Sequence, residues 1–358
     1  MVILHVARTR NNLVSGADVV VPEHIREHQK VESVALLNVE KTIISGIDNQ
    51  FEYSEDFKLS GLKEPFNKPD IIVFHQVYFP KFLKIAKEAR KLNIPYIIIP
   101  HGSMTKEAQR AKRLKKIVGN LLYFNKFMNG AASIQYLSED EKNRAFKKFP
   151  CFVSTNGLNM PNEQKESFNE DKLVFSYIGR YDTHIKGLDL LIEAVKQKED
   201  FLRKNNCVVN LYGPQHLDLY VKNVESLKSA IKEKTISDIV FINGPVIAEE
   251  KKNTLLKTDV FIQCSRSEAM GLSIAEALSY GVPSIVTYTT TMGDFIDKYD
   301  AGWSCQTTAE DIANSIEKAV LEKHLLKEKS KNAITLVKSE FLWENVAKDA
   351  LENYRKFI

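Results

Sequence analysis

Two glutamates eight residues apart, Glu268 and Glu276, lie in the stretch CSRSEAMGLSIAEALSYGVP that runs from Cys264 to Pro283. An apolar run, Val260-Phe261-Ile262, precedes it and reads as a buried strand. A polar turn, Ser265 to Glu268, then leads into a helix expected to open near Gly271 and close at Gly281, before Pro283. The first N–H groups of a helix lack partners and carry the positive end of its dipole, so such a strand-to-helix turn suits an anion. Two carboxylates beside an anion need a ligand that also offers hydroxyls. A nucleotide-sugar has that combination of diphosphate and hydroxyls.

Cations are spaced to match. Arg180 follows the apolar run Leu173–Ile178, and Lys186-Gly187 opens the next helical pattern after a polar loop. A guanidinium forks onto phosphate oxygens and an ammonium adds a point charge, which together suit a departing diphosphate. Two histidines end strands: Ile71–Phe74 runs into His75, and Ile97–Pro100 runs into His101-Gly102. In an open α/β sheet ligands bind beyond the carboxyl ends of the strands, so both imidazoles are placed toward a site. For His75 a plain strand-end histidine is as good a reading; for His101, with Gly102 beside it, function is favoured. Gly16, after the first strand, is either a phosphate-loop glycine or a turn glycine.

The elements that must position these residues alternate. Strand patterns at Val2–Val6, Ser33–Val39, Ile71–Phe74, Tyr96–Pro100 and Ala132–Tyr136 are separated by helical ones, clearest over Pro80–Leu92. A polar stretch, Asn156 to Asp171, reads as a linker. A second α/β series follows, with strands at Leu173–Ile178, Cys207–Tyr212, Ile239–Ile242, Val260–Cys264 and Ser284–Val286. Helices fall between them at Gly187–Lys198, Leu217–Lys232 and Ala248–Lys257. This is the pattern of parallel sheets covered by helices. An amphipathic helix over Leu342–Phe357 could cap either domain.

A length of 358 residues allows two cores, and 27% charged residues with a net charge of +4 give no argument for nucleic acid. The four cysteines are widely spaced, as in reduced core thiols, and no apolar run reaches the roughly 20 residues of a membrane span. The order of MVILHVARTR, apolar before basic, is wrong for a signal peptide. The helix Lys106–Val118 carries six basic residues (Lys106, Arg110, Lys112, Arg113, Lys115, Lys116). It is read first as a solvated face, and second as a surface for anionic lipid headgroups or a lipid-diphosphate acceptor.

The second half resembles a retaining GT-B glycosyltransferase of family 4, the group with an E-x7-E motif. The resemblance is carried by Gly179-Arg180, Lys186-Gly187, Tyr212-Gly213, Gly244-Pro245-Val246, Ser265 to Glu268, Gly271, Glu276-Ala277 and Gly281-Val282-Pro283. His75, Pro100-His101-Gly102, Asn156-Gly157 and the closing Leu342-Trp343-Glu344-Asn345 extend it over nearly the whole chain. Two positions depart from the pattern: Ala269 stands where the family often has glycine, and Asn11 to Gly16 lacks the usual paired glycines. The resemblance implies that Arg180 and Lys186 neutralise the donor diphosphate, Glu268 accepts from the sugar hydroxyls and Glu276 holds the ribose. Met270, Gly271 and Leu272 would meet the donor at the helix start. Val246 would line the base pocket, His101 would sit beside the sugar, and Gly16 near the phosphates.

The expectation is therefore two Rossmann-like domains facing a central cleft: an acceptor domain over 1–165, a donor domain over 166–340, and a helix over 341–358 crossing back to the first. The expected activity is retaining transfer of a hexose-type sugar, with uridine donors favoured, to a glycan or lipid-linked acceptor in surface polysaccharide biosynthesis. No D-x-D pair occurs, so no metal or other cofactor is expected. The expected location is cytoplasmic, with peripheral membrane contact through Lys106–Val118. A nucleotide-sugar-binding protein without activity and a same-fold epimerase stay open as alternatives. A dinucleotide dehydrogenase is disfavoured because no G-x-G-x-x-G follows a strand.

Overall fold

The computed structural model describes residues 1–10, 16–110, 113–169, 171–215 and 218–358. Contacts divide the chain into two units, Met1–Gly157 with Trp343–Ile358, and Leu158–Leu342. The first is therefore discontinuous in sequence.

The first unit is built on seven strands: β1 (Val2–Ala7), β2 (Ser33–Asn38), β3 (Gln50–Glu52), β4 (Ile71–His75), β5 (Tyr96–Ile99), β6 (Ser133–Tyr136) and β7 (Cys151–Val153). They pair in parallel in the order β3-β2-β1-β4-β5-β6-β7. The order reverses at β1 and β4, which makes the gap beyond their carboxyl ends the switch point where ligands bind in such sheets. Side chains alternate across each strand. Leu4, Val6, Ile72, Phe74 and Ile98 enter one core with Phe82, Ile85, Ala86 and Ala89 of the helix Pro80–Lys91. Their neighbours on the strands, including His5, His75 and Gln135, face the other side. There Tyr354 of the terminal helix donates its hydroxyl to Gln135 Oε1 at 2.7 Å. That helix, Trp343–Tyr354, buries Trp343, Val346, Ala347, Ala350, Leu351 and Tyr354, one stripe at helical spacing.

The second unit has six parallel strands: β8 (Leu173–Ile178), β9 (Cys207–Tyr212), β10 (Val240–Asn243), β11 (Val260–Gln263), β12 (Ser284–Thr287) and β13 (Gly302–Cys305). Their order is β10-β9-β8-β11-β12-β13, with the reversal at β8 and β11. The core packs Phe175, Tyr177, Val209, Leu211 and Ile262 against Leu188, Leu191, Ile192 and Val195 of the helix Leu188–Gln197.

Several elements went unforeseen in the sequence: β3, β7, β13 and the helices Gly293–Tyr299, Ala309–Leu321 and Leu326–Glu340. The basic segment differs in extent. It forms helices Lys106–Arg110 and Arg113–Gly119 and continues through a wider turn, Asn120–Phe124, to Asn129. Lys112 lies outside the described residues, as do Asn11 to Ser15 before Gly16 and Leu217 at the expected start of the helix Asp218–Glu233. All four cysteines are free; Cys151 is half-buried and the others are buried. No helix among the described residues is long and apolar enough to cross a membrane.

Candidate active site

At the β8/β11 switch point the second unit brings Lys186 and Glu268 together, Nζ to Oε1 at 2.5 Å, each side chain 13% exposed. The same carboxylate oxygen accepts from Gln263 Nε2 and from Ser265 Oγ, both at 2.8 Å. Three donors on one oxygen fix the orientation of the Glu268 carboxylate. Gln263 was not singled out in the sequence, and Ser265 only as part of the polar turn and the family motif, without a role; both flank β11's carboxyl end, where the switch point lies.

The turn before the helix Leu188–Gln197 carries Lys186 to this place. Gly187 has φ +65°, and a Cβ there would lie 1.9 Å from the Cys264 carbonyl oxygen, so only glycine lets the turn approach β11 this closely. The approach is locked by Arg266, which donates twice to Asp189, each at 2.7 Å, and once to the His184 carbonyl at 2.7 Å. The Arg266 N–H adds a bond to the Ile185 carbonyl at 2.8 Å. Arg180 is exposed just past β8, with its carbonyl accepting from the Tyr177 hydroxyl at 2.7 Å.

Glu276 lies on the helix Leu272–Ser279 and pairs with Lys251 of the helix Ala248–Lys257. Lys251 was not anticipated. Met270 and Gly271 are buried at the start of the Glu276 helix, and the Leu272 amide donates back to the Met270 carbonyl at 2.9 Å. That amide is thus engaged within its own turn. Val246 is half-buried between β10 and the Lys251 helix.

His101 and Gly16 belong to the first unit. Gly16 is exposed and opens the helix Gly16–Gln29. His101 follows β5 with φ 48°, in the left-handed region where a side chain is strained. Gly102 follows it, and its N–H donates to Glu141 Oε1 at 2.5 Å while Oε2 takes the Leu137 N–H at 2.8 Å, which clamps the turn. Burial pushes the His101 imidazole down to about 4. His75 is buried, and its Nδ1 lies 3.2 Å from His101 Nε2. Three more histidines, His5, His24 and His28, are buried with His75 and complete a cluster that sequence reading missed, with half-buried His101 at its end. The signal was the spacing of four between His24 and His28, which puts both on one helix face.

These switch-point sheets can be set beside known proteins. A solved structure of Anabaena Alr3699/HepE in complex with UDP superposes with a TM-score of 0.77 over 99% of this chain and 100% of that one, at 14% identity. Near-full coverage of this kind defines the fold as GT-B, the two-domain α/β class of glycosyltransferases. Residues 160–336, most of the second unit, match the family described as glycosyl transferases group 1. An uncharacterized glycosyltransferase of Methanocaldococcus jannaschii is 26% identical over 279 residues, 77% of this chain and 72% of that protein. Mannosylfructose-phosphate synthase of Agrobacterium fabrum is 26% identical over 195 residues, 51% of this chain and 40% of that enzyme. The chain has the GT-B fold, and its matches to glycosyltransferase sequences make it a glycosyltransferase.

Proposed function

We propose that this glycosyltransferase is a retaining, metal-independent enzyme of family 4 that moves a hexose-type sugar from UDP to a glycan or lipid-linked acceptor in surface polysaccharide synthesis. The observation that carries the reading is the Lys186–Glu268 pair at the β8/β11 switch point, with Gln263 and Ser265 on the same oxygen. Glycosyl transfer builds positive charge at the anomeric carbon and negative charge on the leaving phosphate. Lys186 and Arg180 supply fixed cations to the diphosphate, work that a divalent metal does elsewhere. Glu268 accepts from sugar hydroxyls, and Glu276 exchanges Lys251 for the ribose. Met270, Gly271 and Leu272 line the donor, Val246 borders the base, Gly16 lies toward the phosphates and His101 meets the sugar. Retention follows from attack on the face the diphosphate leaves, since none of these residues is placed as a nucleophile. The uridine preference is supported by HepE, solved with UDP and with UDP-glucose. A panel of UDP- and GDP-sugars, screened by thermal stabilisation and then by nucleotide release with and without EDTA, tests the reading. Release from a UDP-sugar that survives EDTA is expected. No stabilisation and no release with any donor would sink it, and activity lost to EDTA and restored by Mn²⁺ would remove the metal-free part.

The acceptor side of the proposal rests on the segment after His101. Leu114, Leu121 and Leu122 are 80%, 75% and 60% exposed, and Ile117, Val118 and Tyr123 are exposed with them. These positions repeat at helical spacing beside exposed Lys106, Arg110, Arg113 and Lys115. An apolar stripe flanked by basic residues fits an anionic lipid surface, with leucines in the acyl boundary and cations at the headgroups. Peripheral contact with the cytoplasmic leaflet would bring the enzyme to a lipid-linked acceptor.

A further inference from the structure

Five of the eight histidines in the sequence meet inside the first unit. Four of them form a series of nitrogen-to-nitrogen contacts. His28 Nδ1 lies 3.2 Å from His5 Nε2, His5 Nδ1 lies 2.9 Å from His75 Nε2, and His75 Nδ1 lies 3.2 Å from His101 Nε2. The series runs from the helix Gly16–Gln29 through β1 and β4 to the turn after β5. His24 stands beside it, its ring centroid 4.4 Å from that of His28 and 5.7 Å from that of Trp343. Among the described residues no group of three His, Cys, Asp or Glu is arranged to hold a metal ion. The rings pass hydrogen bonds along a line and do not converge on a point.

A neutral imidazole has one N–H and one bare nitrogen. In a line of such rings each contact takes one proton, so a ring that accepts at Nε2 must donate from Nδ1, and all protons point the same way. Two senses exist, and the end of the line separates them. Among the described residues His28 Nε2 is buried and has no partner. With the protons pointing toward His28, that atom is a buried N–H with nothing to receive it. With the protons pointing toward His101, it is only an unused lone pair. Buried N–H groups without partners are the rarer and costlier defect. The protons therefore point toward His101. Burial, with the neighbouring imidazoles adding to it, holds His5, His28 and His75 well below the usual histidine range, so the line is neutral at neutral pH.

We propose that His28, His5 and His75 are positioning residues that fix the tautomer of His101, with its proton on Nδ1. His101 then spends Nε2 as an acceptor from His75 and meets its ligand as an N–H donor, suited to a hydroxyl or phosphate oxygen. It is not a base at that nitrogen. This is the opposite of the Nε2–H form that a free histidine side chain prefers. The assignment of the ligand rests on the reading of His101 as a donor-site residue; the direction of the line does not.

The test uses the full chain labelled with ¹⁵N-histidine at neutral pH, with two-bond ¹H–¹⁵N spectra to identify tautomers and a His101→Asn spectrum to assign His101. The expected pattern is Nδ1–H for His101, His75, His5 and His28. An Nε2–H or doubly protonated His101 in the wild type would overturn the proposal. His75→Leu should return His101 to the Nε2–H form and lower nucleotide release by about tenfold, measured with the nucleotide-sugar that the wild type turns over fastest. His75→Gln, which can accept from His5 and donate to His101, should restore the Nδ1–H signal and most of the rate. If His75→Leu does not fold, the wild-type spectrum still decides the direction of the line. Nδ1–H in the wild type, with an unchanged rate in a folded His75→Leu protein, would leave the line standing and refute its positioning role. No nucleotide release by the wild type would instead count against the proposed function, with the spectrum unaffected.

Discussion

Lowering the pH from roughly 7.5 to 5.5 should destabilise the first unit selectively, and the size of the effect follows from its histidines. Burial holds all five below the ordinary value of 6.5, His24 at about 3 and His101 at about 4. In this pH range the unfolded chain takes up protons that the native state refuses. The stability they confer is complete above 6.5, and it is lost as the pH falls from there toward the native values. Each group that stays neutral in the fold and titrates normally when unfolded costs about 1.4 kcal/mol over this interval. Five give about 7 kcal/mol, comparable to the whole stability of an ordinary domain. Glu141 acts in the opposite sense, because burial raises its carboxyl and the native state takes up its proton first. One carboxyl offsets only part of five imidazoles. Tyr354, edge-on to His28, is pushed further up by burial and stays neutral throughout. Among the described residues the second unit has no matching cluster; His184 and His324 are exposed. The two tryptophans separate the units, since Trp343 stacks on His24 and Trp303 lies in the second unit with its indole N–H on Glu322 at 2.7 Å. Urea unfolding followed by fluorescence in Trp303→Phe reports the first unit, and in Trp343→Phe the second. A loss of about 3 kcal/mol or more at the lower pH is expected for the first unit alone. An unchanged midpoint there would refute the reasoning.

Lys186→Ala leaves the Glu268 carboxylate without its cation, and Glu276→Ala removes the residue assigned to the ribose. Each should lower kcat/KM at least about tenfold, or about 1.4 kcal/mol, and wild-type rates in both would remove the donor-site assignment. Gly187→Ala places a methyl against the Cys264 carbonyl at a left-handed φ; we expect a lower Tm and a larger loss of activity than of fold, and a wild-type melting curve would contradict the close approach. Leu114→Asp with Leu121→Asp should abolish sedimentation with vesicles rich in anionic lipid and leave the melting curve intact. Equal binding by that variant, or by vesicles of neutral lipid, would count against the lipid surface.

Much of the donor half was legible because its signals are local. Gly187, Lys186 and the Glu268 turn each sit at a strand end or a helix start, and strand–helix alternation places such points on one edge of a parallel sheet. The partners of those residues were less visible. Lys251 meets Glu276 across two helices, and nothing within either segment announces the pair. The histidine line was hidden for a stronger reason. His5 lies inside an apolar strand, and only the pairing of β1 with β4, β4 with β5, and the packing of the helix Gly16–Gln29 bring four separate segments into register. The basic helix showed its charges in the sequence, but whether Leu114 and Leu121 would be covered depended on tertiary packing. β13 escaped because Gly302-Trp303-Ser304-Cys305 has none of the Val or Ile that marked the other four-residue strands.

The backbone leaves the first unit after Gly157 and returns at Trp343, where the Leu158 N–H bonds the Phe341 carbonyl at 2.8 Å beside a parallel bridge from Leu158 to Leu342. The second unit is thus an insertion into the first. During synthesis every residue of the inserted unit emerges before Trp343 does, so it can finish folding while the first still lacks the helix that carries Trp343 and Tyr354. Until that helix arrives, His24 lacks its contact with Trp343 and His28 its contact with Tyr354. The earliest-made part of the chain is the last to close, and a ribosome stalled before Trp343 would present a finished second unit joined to an open, protease-sensitive first one.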